Sequence, residues 1–310
     1  MLDFIYCFDS NYLRQAMTSI YSLLDNVSEP INIHIITNID KEKIQIPQQI
    51  LLHQSLNESS VHQINLSNLE LYNLKSAHVT EATFYRLFLE DHINLNGFAT
   101  YLDCDILCLR DPVILIKQIY NKLEQNNLPV SFNTEIKQGQ GYDYFEKLDL
   151  KGSSYFNAGV MVFNLTLWKK FKVKSNAINL ISILKNKALF WDQDILNVIF
   201  DEKFYELPVE LNSRSRFDEK YDNNIIFHHF SGKYKPWTVR GVFQKNSNLF
   251  HKTYQKIYRQ KYLISVNNNK NALKQIKEEI STGRLKIDKK GLEILFYAFM
   301  GILRNIKKNG

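Results

Sequence analysis

Along residues 1–230, short apolar runs alternate with segments whose apolar residues recur at helical spacing, the pattern of helices flanking a largely parallel sheet. Residues 2–8 read as a buried strand. Over 11–26, Leu13, Ala16, Met17, Ile20, Leu23 and Leu24 share one face of a helix. A strand at 31–37, a helix near 40–56 and a strand at 61–66 complete a β-α-β-α-β start. Residues 80–91 are predicted helical, 98–102 extended, and 112–124 helical with Pro112 in the first turn. A strand at 129–132 precedes the longest polar interruption, 133–154, a candidate active-site loop. A strand at 158–164, helices at 166–186 and 193–201, and a strand at 225–230 follow. No internal repeat stands out.

Past about Trp237 the chain becomes Lys-rich and mainly helical, with a turn region at 280–290 before the last helix. That division predicts a catalytic body over 1–237 and a basic helical extension over 238–310. The apolar stretch 292–303, followed by Arg304, Lys307 and Lys308, is too short to span a bilayer, which takes roughly 20 apolar residues. It suits either a membrane interface, with cations near headgroups, or docking of its apolar side on the body.

Charge sharpens the division. Residues 231–310 hold 18 Lys and Arg against 4 Asp and Glu, so the net charge of +7 hides an acidic body and a strongly basic tail. Such a tail suits an anionic surface, and an acidic body argues against nucleic acid as substrate. With 45% hydrophobic and 23% charged residues the chain is globular, which excludes disordered and collagen-like readings. Cys7, Cys104 and Cys108 lack paired metal-ligand spacing, so a disulfide framework or zinc ribbon is not expected and a reducing compartment is. The first nine residues contain no basic leader, and a cytoplasmic protein, peripheral at most on a membrane, is expected.

The sharpest chemical feature is Tyr101-Leu102-Asp103-Cys104-Asp105, two carboxylates bracketing one residue at a strand end. Strand carboxyl ends are where open α/β sheets bind ligands. Paired hard oxygens suit Mg²⁺ or Mn²⁺ bridging phosphate, although aspartates also suit a strand-end turn. Far downstream, His228-His229-Phe230-Ser231-Gly232-Lys233-Tyr234-Lys235-Pro236-Trp237 offers an imidazole to complete a mixed shell, a glycine permitting close approach, and lysines for phosphate. Tyr155-Phe156-Asn157-Ala158-Gly159 and Trp191-Asp192-Gln193-Asp194 place amides and carboxylates at element ends, where they can bond sugar hydroxyls or cap helices.

Taken in order with Phe8-Asp9-Ser10-Asn11-Tyr12 and Ala82-Thr83-Phe84-Tyr85-Arg86-Leu87, these strings resemble the family 8 glycosyltransferases over nearly all of residues 1–237. These are retaining UDP-sugar transferases that include bacterial lipopolysaccharide and lipooligosaccharide glucosyl- and galactosyltransferases. The resemblance implies a GT-A fold, a Rossmann-like, mostly parallel sheet flanked by helices. It assigns Asp103, Asp105 and His229 to Mn²⁺, with Mg²⁺ as substitute, and Gly232 and Lys235 to the diphosphate. Asp9 and Asn11 would bind uracil and ribose, with Cys7 and Cys104 lining that pocket. Arg86, Asn157 and Asp192 would bind the sugar of UDP-glucose or UDP-galactose, Gln193 would lie near the anomeric carbon, and His78 near phosphate and acceptor.

With Gln193 at the position expected of a nucleophile, a front-face route to retention is preferred over a covalent one. The string Asn133-Thr134-Glu135 departs from relatives that carry an aspartate there, so acceptor identity does not transfer. The implied partners are a lipid-linked oligosaccharide acceptor and, through the tail, an anionic membrane surface. Two rival classes remain at this level: a metal-dependent phosphohydrolase using Asp103 and Asp105, and a non-enzymatic binder of anionic surfaces.

Overall fold

The computed structural model describes residues 1–67, 69, 80–94, 97–140, 143–184, 190–214, 224–232, 234–244, 246–266 and 268–309. The chain divides into two compact units, Met1–Ser213 with Asp222–His229, and Arg214–Tyr221 with Phe230–Gly310.

The first unit is built on a seven-stranded sheet. Its strands are β1 (Leu2–Phe8), β2 (Ile31–Thr37), β3 (Leu56–Gln63), β4 (Phe98–Leu102), β6 (Val130–Lys137), β7 (Ser154–Asn164) and β8 (Phe204–Glu206), in the order β3-β2-β1-β4-β7-β6-β8. All pairings are parallel except those of β7, which runs antiparallel to both β4 and β6. The continuous apolar runs of β1 and β7 follow from this placement, since a central strand covered on both faces buries every side chain. Helix Leu13–Leu24 supplies one cover, burying Ala16, Met17, Ile20, Leu23 and Leu24 as its spacing predicts. The opposite face packs a large cluster around Phe84, Tyr85, Phe132, Phe156, Phe163 and Trp168.

Differences from the sequence reading have local causes. Pro47 confines the second helix to Gln48–Leu51, and β3 starts earlier because its ladder with β2 begins at Leu56. Residues 81–88 form a 3₁₀ helix and not an α-helix, continued by Leu89–His92. The predicted helix 166–186 breaks into Leu165–Lys170 and Val173–Leu184 at Lys172, whose φ is 49°. The polar stretch after 132 opens as strand, β6 continuing to Lys137 and paired with β7 through two register shifts, and it also contains a short helix, Tyr144–Leu148. A second, two-stranded sheet joins β5 (Ile106–Cys108) to β9 (Phe227–His229) antiparallel, Ile106 opposite His229. β5 and β8 are too short to show a period.

The second unit has its own core, Val239, Val242, Tyr262, Ile264, Val266, Ala272, Ile276, Leu285, Ile294, Ala298 and Ile302. Its helices are Ser247–Tyr258, Asn269–Ser281 and Lys289–Asn309. The last packs closely at Gly301, where an added Cβ would lie 2.5 Å from the Ile264 carbonyl oxygen. This helix carries two apolar stripes. Ile294, Ala298 and Ile302 are buried in the core, whereas Leu292, Phe296, Phe299, Leu303 and Ile306 are each about half exposed. The buried face packs within the second unit's own core, and the exposed stripe lies on another face of the helix. Among the described residues no helix is long and apolar enough to cross a membrane.

Buried His251 gives this unit a pH response. Its Nε2 faces the Pro236 carbonyl at 3.1 Å and its Nδ1 faces the Leu263 N–H at 3.4 Å, so the neutral ring satisfies both. Burial pushes its pKa down to about 4. Because that folded value lies below the ordinary histidine value of about 6.5, the stability it confers is full above about pH 6.5 and is lost as pH falls towards 4. The loss approaches about 3 kcal/mol. In thermal melts between pH 7 and 4, His251→Gln should start less stable and lose less; parallel curves would refute the assignment.

Candidate active site

Strand order reverses direction at β1, whose neighbours are β2 on one side and β4 on the other. The crevice at such a switch point is where open α/β sheets bind ligands. Asp9 follows β1, and its carboxylate accepts from the Asn11 backbone N–H at 2.8 Å and from Asn11 Nδ2 at 3.1 Å. Asp103 follows β4 and is anchored by its N–H to the Gly159 carbonyl at 2.8 Å. Between them Cys104 Sγ donates to the Cys7 carbonyl at 3.5 Å. Burial raises both thiols well above their ordinary range, with Asp103 adding to the rise for each, so they remain protonated lining groups.

The pairing of β5 with β9 brings His229 beside the aspartates. Asp103, Asp105 and His229 each offer one donor atom within 4.8 Å of the other two, and His229 Nε2 lies 3.3 Å from Asp105 Oδ1. Two carboxylate oxygens and one imidazole nitrogen suit Mn²⁺ better than Ca²⁺, which favours all-oxygen shells. Asp103 Oδ1 accepts from Tyr101 Oη at 2.7 Å and meets Arg86 Nη1 at 3.1 Å, which fixes the carboxylate's orientation. Gly159 lies under the His229 ring: a Cβ there would sit 2.3 Å from Cε1.

Arg86 is the electrostatic centre. It is buried over the Tyr101 ring, pairs through Nε with Asp192 Oδ2 at 2.5 Å, and donates through Nη1 to the Ala158 carbonyl at 2.6 Å. Burial pushes the Asp192 carboxyl up to about 6, against the opposing pull of Arg86 and of Thr83, whose hydroxyl donates at 2.5 Å. The group is thus largely ionised at neutral pH. Next to it, Gln193 Oε1 accepts from the Ala158 N–H at 3.1 Å and Asn157 Nδ2 at 3.2 Å, and its Nε2 donates to Tyr155 Oη and Glu135 Oε2.

This pair is aimed by a strained turn. Trp191 has φ 49° and ψ −112° in a bend closed by the Gln193 N–H to the Phe190 carbonyl at 3.0 Å. Such a conformation costs a residue other than glycine on the order of 1–3 kcal/mol. Asp194 holds it, Oδ2 accepting from the Phe190 N–H at 2.8 Å and Oδ1 from Tyr155 Oη at 2.5 Å.

The first unit therefore gathers Cys7, Asp9, Asn11, Arg86, Asp103, Cys104, Asp105, Asn157, Asp192, Gln193 and His229 around the carboxyl ends of β1 and β4. Gly232, with φ 84°, and Lys235, whose Nζ donates to the Phe230 carbonyl at 2.8 Å, belong to the second unit. His78 lies outside the described residues. Two participants escaped the sequence reading. Glu135, which lies in the candidate active-site stretch 133–154 but was given no role there, reaches Asn157 and Gln193 at 3.3 Å because β6 shifts register on either side of Asn133 and Thr134. It borders an open cleft of about 520 Å³ with Thr134, Lys137, Gln140, Ser154 and Glu206. Asn212, buried beside His229, follows a 3₁₀ turn that carries no motif.

Residues 3–241 match the family described as Glycosyl transferase family 8. The chain is 30% identical over 249 residues to a lipopolysaccharide 1,2-glucosyltransferase of Escherichia coli, covering 74% of this chain and 71% of that protein. It is 24% identical over 277 residues to general stress protein A of Bacillus subtilis, covering 81% and 92%. Among solved structures, the galactosyltransferase LgtC in complex with donor and acceptor sugar analogues superposes with a TM-score of 0.70 at 20% identity, covering 83% of this chain and 96% of that one. The match over most of the chain removes the non-enzymatic reading: the protein belongs to glycosyl transferase family 8, has the GT-A fold, and is a glycosyltransferase.

Proposed function

We propose that the enzyme is a retaining, Mn²⁺-dependent hexosyltransferase that moves glucose or galactose from its UDP-sugar to a lipopolysaccharide or lipooligosaccharide core acceptor. The observation that carries this reading is the convergence of Asp103, Asp105 and His229 beside the Arg86–Asp192–Gln193 network. The similarity to a lipopolysaccharide glucosyltransferase supports the acceptor class.

Asp103, Asp105 and His229 would hold Mn²⁺, or Mg²⁺ in its place, which when bound neutralises diphosphate charge and improves the leaving group. Asp9 and Asn11, with Cys7 and Cys104, take the uridine. Arg86, Asn157 and Asp192 take sugar hydroxyls, Gly232 and Lys235 the diphosphate, and His78 the region of phosphate and acceptor. Gln193 Oε1 already accepts two hydrogen bonds, which lowers its nucleophilicity and supports a front-face reaction: the acceptor hydroxyl attacks as the sugar–phosphate bond breaks, and its proton passes to the departing phosphate oxygen. Glu135 and its cleft are placed to receive the acceptor.

The body over 1–237 would carry the chemistry and 238–310 the attachment. The exposed stripe Leu292, Phe296, Phe299, Leu303 and Ile306, with Lys286, Lys289, Lys290, Lys307 and Lys308 at its two ends in the sequence, suits the interface of an anionic cytoplasmic leaflet, and the enzyme would work there as a peripheral protein.

UDP release from a panel of UDP-sugars, without acceptor, tests the reading. Release from UDP-glucose or UDP-galactose with Mn²⁺, abolished by EDTA, is expected; equal release in EDTA, or a preference for another sugar nucleotide, would refute it.

A further inference from the structure

The hydrogen bonds around His229 form a chain whose proton positions can be deduced one by one. It starts at a group of fixed sign, the Gly159 backbone N–H, which donates to Asn157 Oδ1 at 3.0 Å. The other end of that amide is fixed too, because Asn157 Nδ2 faces the Glu135 carboxylate at 3.3 Å and Gln193 Oε1 at 3.2 Å, both acceptors. Asn157 cannot flip without opposing donor to donor and acceptor to acceptor. Asn212 approaches Asn157 Oδ1 at 3.0 Å, so the atom it presents must be its Nδ2. Its Oδ1 then faces His229 Nδ1 at 2.9 Å, and a carbonyl oxygen only accepts. Nδ1 must therefore carry a proton, which in the neutral ring leaves the lone pair on Nε2, 3.3 Å from Asp105 Oδ1, an acceptor facing an acceptor that a cation bound between them would reconcile.

We propose that Asn212 is a positioning residue that locks His229 into the Nδ1–H tautomer and ring orientation, presenting Nε2 as the metal-binding atom. This rests on the metal reading above and adds a residue to which neither the motifs nor the family match gives a role. The surroundings favour a dedicated function over general packing. Asn212 is fully buried, its Nδ2 and Oδ1 each have a partner, and the absence of a side chain at Gly159 leaves the space the ring occupies. The same chain links His229 through Asn212 and Asn157 to Gln193, so the metal end and the sugar end of the site are held by one run of hydrogen bonds. Partners that orient a ligating histidine typically contribute 10–100-fold in metal affinity, by fixing tautomer and ring together.

The test compares the wild type with Asn212→Ala and Asn212→Asp. The aspartate keeps an acceptor for Nδ1–H; in place of the donation to Asn157 it sets a carboxylate oxygen against Asn157 Oδ1 and adds a negative charge. Mn²⁺ affinity is read from the free-ion electron paramagnetic resonance signal, and the His229 tautomer from long-range ¹H–¹⁵N correlation of metal-free, ring-labelled protein at pH 8. Expected are the Nδ1–H tautomer in wild type and Asn212→Asp, a mixture of tautomers in Asn212→Ala, and Mn²⁺ affinity about 10–100-fold weaker for the alanine variant alone. A wild-type Nε2–H tautomer would overturn the proposal, as would an alanine variant that keeps wild-type tautomer and affinity. If both variants weaken Mn²⁺ equally and melt early in EDTA, the residue is packing and the proposal fails. Wild type that binds no Mn²⁺ sinks the metal reading, and the metal-free tautomer still decides what Asn212 does.

Discussion

Arg86→Met should lower the unfolding free energy by about 3–5 kcal/mol and remove measurable UDP release. The guanidinium is buried, bridges Asp103 and Asp192, and also serves the Ala158 carbonyl. Methionine matches its length and apolar contact with Tyr101 but leaves the Asp103 and Asp192 carboxylates without their counter-charge, the costly way to break a buried ion pair. Arg86→Lys separates charge from geometry. One ammonium cannot reach acceptors on both sides as a planar fork does, so stability should recover in part and activity much less. Urea unfolding beside the UDP-release assay distinguishes these outcomes, and an unchanged midpoint in Arg86→Met would contradict the central place given to this residue.

Gly159→Ala should reduce activity by about 100-fold or more, since a displacement of about 1 Å at a reacting centre can cost that much. The added methyl would meet the His229 ring at 2.3 Å, and neither side can yield easily. Gly159 sits within β7, whose neighbours are β4 and β6, and the ring is held by Asn212. The fold should lose only about 1–3 kcal/mol, the usual cost of overpacking. The diagnostic result is a protein that melts close to wild type yet binds Mn²⁺ poorly; full activity would show that His229 has room to move.

The fold class was legible because β1, β2, β4 and β7 are mostly apolar stretches alternating with helix-period segments, a signal that survives without partners. The site was legible where it sits at strand ends: Asp9 after β1 and Asp103 after β4 are placed by the sheet itself. Legibility stopped where position depends on pairing between distant, short elements. Nothing local in Ile106–Cys108 or Phe227–His229 announces that they pair, and Asn212 gains its role only once they do. Glu135 was hidden differently, since register shifts decide which way a strand residue points and leave no trace in composition. The strain at Trp191 was invisible for a third reason: no rule of propensity predicts a tryptophan where the backbone favours glycine, and it is held there by Asp194 and Tyr155.

The small β5–β9 sheet also sets an order of events. As the chain leaves the ribosome, the strands of the large sheet and both aspartates emerge well before Phe227–His229. The imidazole joins the carboxylates only when a long loop closes, at an entropic cost that grows only with the logarithm of loop length. On the metal reading proposed above, a nascent or truncated chain ending before His229 would hold two of the three metal-binding groups and would be inactive. An ion bound by all three groups would stabilise the closed pairing by mass action, so cellular metal supply would govern how often this last seam opens.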